Sequence, residues 1–232
     1  GITLGSVAVS QLRLSFNAAL MTAAVGVVLF LGTFPTSAAI YAAIFPGAAA
    51  HNGALVALKV CLAFALMLLP SIGFGATVPA LLRRHSDVAV ESGRVLACAS
   101  FANAGGFLLM ALVLHPHLDY GQLLLFVITT LTLALVLQRW RIQEIALAGG
   151  LALTTALFAL PAWDEMLLYV SHRSFSSAEA LESTREDRQR TQRFKGAQDT
   201  FAIIERSGSP SFFINGYVSM ALDSIAEKAV GA

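Results

Sequence analysis

Long apolar stretches separated by short polar segments dominate the first two thirds of this 232-residue chain. A helix needs about 20 apolar residues to cross the hydrocarbon layer of a bilayer. Several stretches reach that length without a single Asp, Glu, Lys or Arg, namely residues 14–58, 60–82, 95–118, 120–138 and 145–163. The pattern therefore predicts about five membrane-spanning helices, at residues 14–31, 54–82, 95–114, 120–138 and 142–160.

Prolines divide two of these predicted helices. Pro35-Thr36-Ser37 is expected to break the first one, since a proline inside a helix removes a backbone hydrogen bond. This leaves residues 38–45 as an apolar piece too short to cross alone, either a kinked continuation or a re-entrant segment. We also expect bends or helix ends at Pro70 and Pro79.

Small residues within the spans predict where helices contact one another. Helices in lipid associate through close packing and interhelical hydrogen bonds, so small residues and isolated polar side chains mark their interfaces. The candidate helix-packing residues are Asn103, Gly105, Gly106, Gly149 and Gly150. A ligand site is the alternative interpretation of these residues.

The chain turns polar after residue 161, because residues 162–232 carry 18 charged side chains against 11 in residues 1–161. Ser176-Ser177-Ala178-Glu179 has the spacing of a capping box and predicts a helix to about residue 190. Three short segments rich in β-branched and aromatic residues predict strands at 200–206, 211–215 and 217–220. The connecting turns are expected at 207–210 and Asn215-Gly216, and residues 222–230 have a helical pattern.

The predicted fold class is an α-helical polytopic membrane domain, followed by a small antiparallel β-meander that begins a soluble α/β domain. Three segments are expected: a transmembrane domain at residues 1–161, a polar helical linker at 162–198 and the meander at 199–232. The apolar side chains expected to pack within the sheet are Phe201, Ile203, Phe212 and Ile214.

Composition and candidate chemistry narrow the function classes. The mean hydropathy of +0.72 is that of a membrane protein, and a net charge of +1 offers no basic field for nucleic acid. Residues 115–119 contain two His and an Asp, but zinc needs a fourth ligand, so we predict a polar hairpin and no metal site. Cys61 and Cys98 are expected to be buried free thiols. The spans hold no carboxylate pair, which argues against proton-coupled transport.

Two parts of the chain resemble a known family. Residues 69–79 (LPSIGFGATVP), Arg83-Arg84 and the Asn103-Ala104-Gly105-Gly106 helix resemble the membrane part of spermidine-synthase-like membrane proteins. Residues 199–220 (DTFAIIERSGSPSFFINGYVSM) resemble the N-terminal β-meander of spermidine synthases. The resemblance implies transfer of an aminopropyl group from decarboxylated S-adenosylmethionine to a polyamine acceptor, with the cofactor held by a downstream Rossmann-like domain.

The same resemblance implies that one hairpin lines the substrate cleft, with Asn215, Gly216, Tyr217 and Ser219 as its site residues. The family pattern D-G-x-x-Q has Gln where this chain has Ser219, and a hydroxyl lacks the reach and the hydrogen-bonding set of an amide. The acidic and Tyr-His continuation of the family is also replaced, at residues 223–228. The catalytic residues are unknown, and the chain by itself is expected to be inactive.

Two other hypotheses stay open: another S-adenosylmethionine-dependent transferase or binding domain on this scaffold, and a transporter with a regulatory soluble domain. The side of the membrane is contested as well. Arginines lie between spans two and three and between spans four and five, so the positive-inside rule puts residue 162 onward outside the cytoplasm. A nucleoside-cofactor enzyme belongs inside, and we favour an internal piece of a bacterial inner-membrane protein whose soluble part faces the cytoplasm.

Overall fold

The computed structural model describes residues 2–12, 14–83, 88–139, 142–155, 157, 163, 166–196, 199–206 and 209–221. Several expectations lie outside these residues: the helix at 222–230, the altered continuation at 223–228, Arg84 and Arg141, and the centre of the turn at 207–210. The chain divides into two compact units. Unit 1 is Gly1–Phe34, Val60–Leu114 and Leu118–Trp163, and unit 2 is Pro35–Lys59, His115–His117 and Asp164–Ala232.

Helices form most of the described chain before residue 155. They are α1 (Ile2–Leu12), α2 (Phe16–Ala48), α3 (Asn52–Leu82), α4 (Val88–Leu109), α5 (His115–His117), α6 (Tyr120–Arg139) and α7 (Ile142–Thr154). A π-helical segment, Met110–Leu114, joins α4 to α5. Pro116 follows this segment and has no N–H to donate, which explains why the regular helical hydrogen bonding changes just before it.

Four helices in the described residues are long and apolar enough to cross a membrane: Phe16–Ala48, Asn52–Leu82, Ala89–His117 and Tyr120–Leu137. They correspond to the first four predicted spans. Of the predicted fifth span, the structure describes the apolar helix α7 and a few residues beyond it.

The predicted break at Pro35-Thr36-Ser37 is wrong. Helix α2 continues through Pro35 and Pro46, and α3 continues through Pro70 and Pro79. Residues 38–45 are thus a continuation of the first helix. A proline costs a helix one hydrogen bond, but leaving the helix within lipid would expose several backbone groups that no water can satisfy.

The core of unit 1 is an apolar seam along α2. Its buried residues, from Leu20 to Leu31, pack against Ile128, Leu131 and Leu135 of α6 and against Leu151 of α7. Glycines allow α2 and α3 to touch through their backbones: a Cβ on Gly26 would lie 2.5 Å from the nitrogen of Pro70. Backbone contact of this kind maximises dispersion attraction between helices that gain no hydrophobic energy from leaving lipid.

Unit 2 contains a four-stranded antiparallel sheet in the order β1-β2-β3-β4, with β1 Thr191–Lys195, β2 Thr200–Arg206, β3 Ser209–Ile214 and β4 Tyr217–Ala221. The predicted small antiparallel sheet is therefore confirmed, and its three predicted strands are β2, β3 and β4. Strand β1 was missed and lies in the segment predicted as a helical linker. Phe194 is its single large apolar residue, so β1 depends on pairing with β2.

Three short helices precede the sheet: α8 (Met166–Tyr169), α9 (Ser171–Ser174) and α10 (Ala178–Glu186), the last followed by a 3₁₀ turn, Asp187–Arg190. The predicted helix is confirmed, with Ser177 rather than Ser176 as its cap, since the Ser177 hydroxyl accepts a hydrogen bond from the Ala180 amide at 3.0 Å. Helix α8 contacts β2, and α9 contacts β4.

The sheet has one buried face and one open face. Ala202, Ile204 and Phe213 are at most 1% exposed and form the buried face. The four side chains predicted to pack lie on the other face, where Phe201 is opposite Ile214 and Ile203 is opposite Phe212. These cross-strand pairs are present, and their side chains are partly buried.

Candidate functional site

The tight turn between β3 and β4 is the geometric centre of the predicted cleft hairpin. Asn215 and Gly216 have φ angles of 50° and 81°. Two successive positive φ angles are typical of a type I′ hairpin turn, and Asn-Gly is the pair that adopts this conformation most readily. The backbone conformation of the turn alone therefore explains why these two residue types occur here.

The side chain of Asn215 fastens this turn to the beginning of β2. Its Oδ1 accepts a hydrogen bond from the Thr200 backbone N–H at 2.9 Å, and its Nδ2 donates to Asp199 Oδ1 at 2.7 Å. The backbone N–H of Asn215 donates to the Thr200 carbonyl at 2.8 Å. Both ends of the amide are thus engaged by the protein itself, which gives Asn215 a structural role.

Gly216 seats the same turn against the helical layer. The residue is buried, and a Cβ at this position would collide with Ser171 Oγ and lie 2.8 Å from the Leu168 carbonyl oxygen. Only glycine combines the positive φ with this close approach. Two of the four predicted site residues therefore position the hairpin.

Tyr217 and Ser219, the other two predicted residues, present their side chains to the surroundings. Tyr217 is 64% exposed, and Ser219 is also exposed. Phe213 pairs with Val218 and Phe212 pairs with Met220, so Ser219 is an extra residue of β4, a β-bulge. Bulges change the direction of a side chain and occur often beside active sites. Ser219 is therefore the predicted site residue whose placement is not explained by the turn.

Ionic and aromatic contacts hold the helical layer beneath this hairpin. Arg173 Nη2 donates to Asp187 Oδ2 at 3.0 Å in a partly buried salt bridge, which joins α9 to the 3₁₀ turn. The guanidinium of Arg193 lies 5.7 Å from the centre of the Tyr169 ring, in cation–π geometry. Sequence reasoning identified neither pair, because each joins residues that only the fold brings together.

The His115–Asp119 segment is a helix end followed by a helix start. His115 and His117 lie in α5, and the Asp119 N–H donates to Gln122 Oε1 at 2.9 Å, the reciprocal bond of a capping box that begins α6. This supports the interpretation as a polar hairpin. Within the part of the chain that the structure describes, no three His, Cys, Asp or Glu side chains are grouped to hold a metal ion.

No close helix contact occurs at the predicted helix-packing glycines within the described chain. Asn103 is exposed, and a Cβ built on Gly105, Gly106, Gly149 or Gly150 would meet nothing within 4 Å. Close packing occurs instead at other glycines, with Gly73 against the backbone of Ala23 and Gly75 against Ile2. That Asn103, Gly105, Gly106, Gly149 and Gly150 mark helix–helix contacts stays a prediction.

Both cysteines are free, as predicted, but their side chains lie on the exposed surface of the chain rather than in its interior. Cys61 and Cys98 lie on α3 and α4, on helix faces that other helices of this chain leave open.

Comparison of the chain with protein-family models, with curated proteins and with solved structures finds no match. The family resemblance of residues 69–106 and 199–220 therefore stays a prediction.

Proposed function

We propose that this chain is the membrane anchor and first β-meander of a spermidine-synthase-like protein of the bacterial inner membrane. Aminopropyl transfer from decarboxylated S-adenosylmethionine to a polyamine would take place in a Rossmann-like domain that follows. The observation that carries the proposal is the hairpin itself: a consecutive antiparallel meander with an Asn-Gly turn and a bulge at Ser219. The meander and its Asn-Gly turn are what the resemblance of residues 199–220 implies, and the bulge at Ser219 is an additional feature of this chain.

The division of work within the hairpin supports a substrate-facing role for β4. Asn215 and Gly216 are occupied in holding the turn, whereas Tyr217 and Ser219 are exposed on the strand that follows. A phenol and a hydroxyl are neutral hydrogen-bonding groups, suited to orienting an amine but not to activating it. The hairpin would accordingly position the acceptor, and the proton-transfer chemistry would belong to the following domain.

Contacts within unit 1 favour a fifth crossing. Leu151 packs in the apolar seam, and the Trp163 ring lies 4.9 Å from the ring of Phe34. A Cβ on Gly121, at the start of α6, would lie 2.9 Å from Trp163 Cδ1. The chain thus leaves the end of α6 at Arg139 and is back beside its beginning at Trp163, which an additional span would accomplish.

The proposal assigns the soluble part to the cytoplasm, where a nucleoside donor is available. The charge pattern opposes this assignment. Unit 2 contains the soluble residues after 164 together with the end of α2, the start of α3 and the short helix α5. The turns beside these three helix segments, at residues 46–53 and 115–119, contain no Lys or Arg. The positive-inside rule puts such ends outside the cytoplasm.

Thiol labelling in whole cells decides between these assignments. Cys61→Ala and Cys98→Ala remove the native thiols, and Gln192→Cys places one thiol on the exposed surface of β1. The proposal expects a membrane-impermeant maleimide to react only after the cells are opened. Reaction in intact cells would exclude transfer from an intracellular donor and would leave the anchoring role intact.

Activity tests the chemical part of the proposal. The complete protein in its membrane is incubated with labelled decarboxylated S-adenosylmethionine and a diamine. If Ser219 occupies the Gln position, the wild type should be slow, since one missing contact typically lowers catalysis by a factor on the order of 10²–10³. Ser219→Gln should raise the rate, and Ser219→Asn, which carries the same amide on a shorter side chain, serves as the matched control. Fast synthesis that Ser219→Ala leaves unchanged would overturn the assignment of this hairpin.

A further inference from the structure

The second half of helix α2 lies in the same compact unit as the cleft hairpin. Residues 35–48 of α2 belong to unit 2, together with the short helices and the sheet. One side of this segment is buried, since Ala38 and Ala42 are at most 5% exposed and lie one helical turn apart. Tyr41 lies beside Ala42 and is partly buried, whereas Ile40 lies on the opposite side of the helix and is 45% exposed. This part of α2 therefore packs through one side, which carries Tyr41.

The ring of Tyr41 contacts the aromatic residue that follows α9. The centres of the Tyr41 and Phe175 rings are 5.9 Å apart, and the rings meet edge-on at an interplanar angle of 80°. Tyr41 also contacts the ring of Phe45, one turn further along α2, at 5.6 Å. Edge-to-face pairs at such distances are favourable beyond the area that they bury. Tyr41 therefore ties α2 to the C-terminal end of α9.

Helix α9 in turn seats the turn of the cleft hairpin. The Phe175 N–H donates to the Ser171 carbonyl oxygen at 3.0 Å, which makes Phe175 part of the last turn of α9. The Ser171 side chain lies directly against Gly216, where it would collide with a Cβ. Tyr217 follows Gly216, and the hydroxyl groups of Tyr217 and Tyr41 are close enough to interact electrostatically. A continuous set of contacts therefore runs from α2 through α9 to the hairpin.

We infer that Tyr41 is a positioning residue for the acceptor site, and that it acts through Phe175 and α9 on the turn at Gly216. This set of contacts fixes the backbone from which Tyr217 extends, and the proposed function places Tyr217 in the substrate cleft. The acceptor side of the cleft is then positioned by a helix of membrane-spanning length, and not only by the short elements around the sheet. The identity of the acceptor rests on the proposed function, whereas the positioning of the hairpin does not.

Hydrogen exchange of the complete protein in lipid vesicles tests the positioning without any substrate. Tyr41→Ala removes the ring, so the Asn215 amide, which is bonded to the Thr200 carbonyl, and the amides of β4 should exchange on the order of 10-fold faster. Tyr41→Leu, which has apolar bulk but no ring, should do the same and serves if the alanine variant does not fold. Tyr41→Phe keeps the ring and should restore the wild-type rate. The matched control is Ile40→Ala on the opposite, exposed side of α2, which should leave exchange unchanged. Wild-type exchange at the hairpin in both Tyr41→Ala and Tyr41→Leu would overturn the inference.

Acceptor kinetics link the positioning to the site. A purely structural defect would reduce the amount of folded enzyme and hence the apparent kcat, at an unchanged KM. A positioning residue should instead raise the KM for the diamine, on the order of 10-fold in Tyr41→Ala, while the KM for decarboxylated S-adenosylmethionine stays the same and Tyr41→Phe restores the diamine KM. Transfer with an unchanged diamine KM in Tyr41→Ala would overturn the inference and leave the proposed function standing. No transfer by the wild type would refute the proposed function and with it the acceptor assignment, and the exchange rates would still show whether Tyr41 positions the hairpin.

Discussion

Replacing Gly216 by alanine tests how the cleft hairpin is seated. Its φ angle of 81° costs a residue with a Cβ about 1–2 kcal/mol. The new Cβ would also collide with Ser171 Oγ and press on the Leu168 carbonyl oxygen at 2.8 Å, and such overpacking typically costs about 1–3 kcal/mol. Gly216→Ala should therefore destabilise the sheet by about 2–5 kcal/mol.

Hydrogen exchange in the reconstituted protein measures this loss locally. Since about 1.4 kcal/mol corresponds to a tenfold change, exchange of the amides in β3 and β4 should accelerate roughly 30- to 4,000-fold. The matched control is Gly47→Ala in the same unit, because a Cβ there meets nothing within 4 Å and its φ is that of a helix. This control should leave exchange in the sheet unchanged.

The two parts of the effect are separable. Ser171→Gly in combination with Gly216→Ala removes the collision with the serine side chain but keeps the backbone strain, so part of the protection should return. Unchanged exchange in Gly216→Ala alone would mean that the turn is not seated on α8 and α9, and the structural explanation of Asn-Gly would be lost.

Three further perturbations address the packing. Ile204→Asp should destabilise the sheet by about 3–5 kcal/mol because it buries an unpaired charge. Ile203→Asp, on the open face, should cost only about 1 kcal/mol. Equal hydrogen-exchange rates in the two variants would contradict the assignment of the two faces. Arg173→Ala should cost about 1–3 kcal/mol, since it removes the arginine's hydrogen bond and charge from the buried Asp187 carboxylate. Exchange at the end of α10 should rise, and a neutral result would show that this salt bridge is dispensable. Gly73→Leu should lower the melting temperature in detergent, because the new side chain would drive α2 and α3 apart. The control Gly32→Leu places its side chain in open space and should not. Equal melting temperatures would contradict the contact between Gly73 and the backbone of Ala23.

The long apolar helices were predictable because charge-free stretches of this length are typical of helices that cross a membrane. Away from water such a stretch must satisfy its backbone internally, and a helix does so. The error at Pro35 came from treating the proline as a helix end, as it often is in water, whereas α2 continues through Pro35 to Ala48. Within a bilayer, an ended helix would expose more unsatisfied backbone groups than one proline removes.

In the sheet, the alternation of apolar and polar residues does not predict which face of a strand is buried. In β2, both alternating sets are apolar, Phe201 with Ile203 and Ala202 with Ile204, so alternation alone could not decide which face is buried. The bulkier set, Phe201 with Ile203, was predicted to pack, whereas Ala202 and Ile204 are the fully buried side chains. Strand β1 was missed because its five residues contain a single large apolar side chain and gain their order from pairing with β2.

A local sequence signal is also ambiguous at the candidate site, where Ser219 is better evidence of function than the Asn-Gly pair. An Asn-Gly pair is a strong local signal, but the structure accounts for it fully through positive φ angles and the contacts with Thr200, Asp199 and Ser171. A residue whose placement the fold does not require is better evidence of function than one that the fold does require. Ser219 meets that criterion, since a β-bulge is an irregularity that neither the turn nor the buried face of the sheet demands. In the proposed alignment Ser219 replaces the Gln of the resembled pattern, and Ser219 is also the residue at which the hairpin departs from a regular ladder. Substitution at this position therefore separates a substrate-facing strand from a purely structural one.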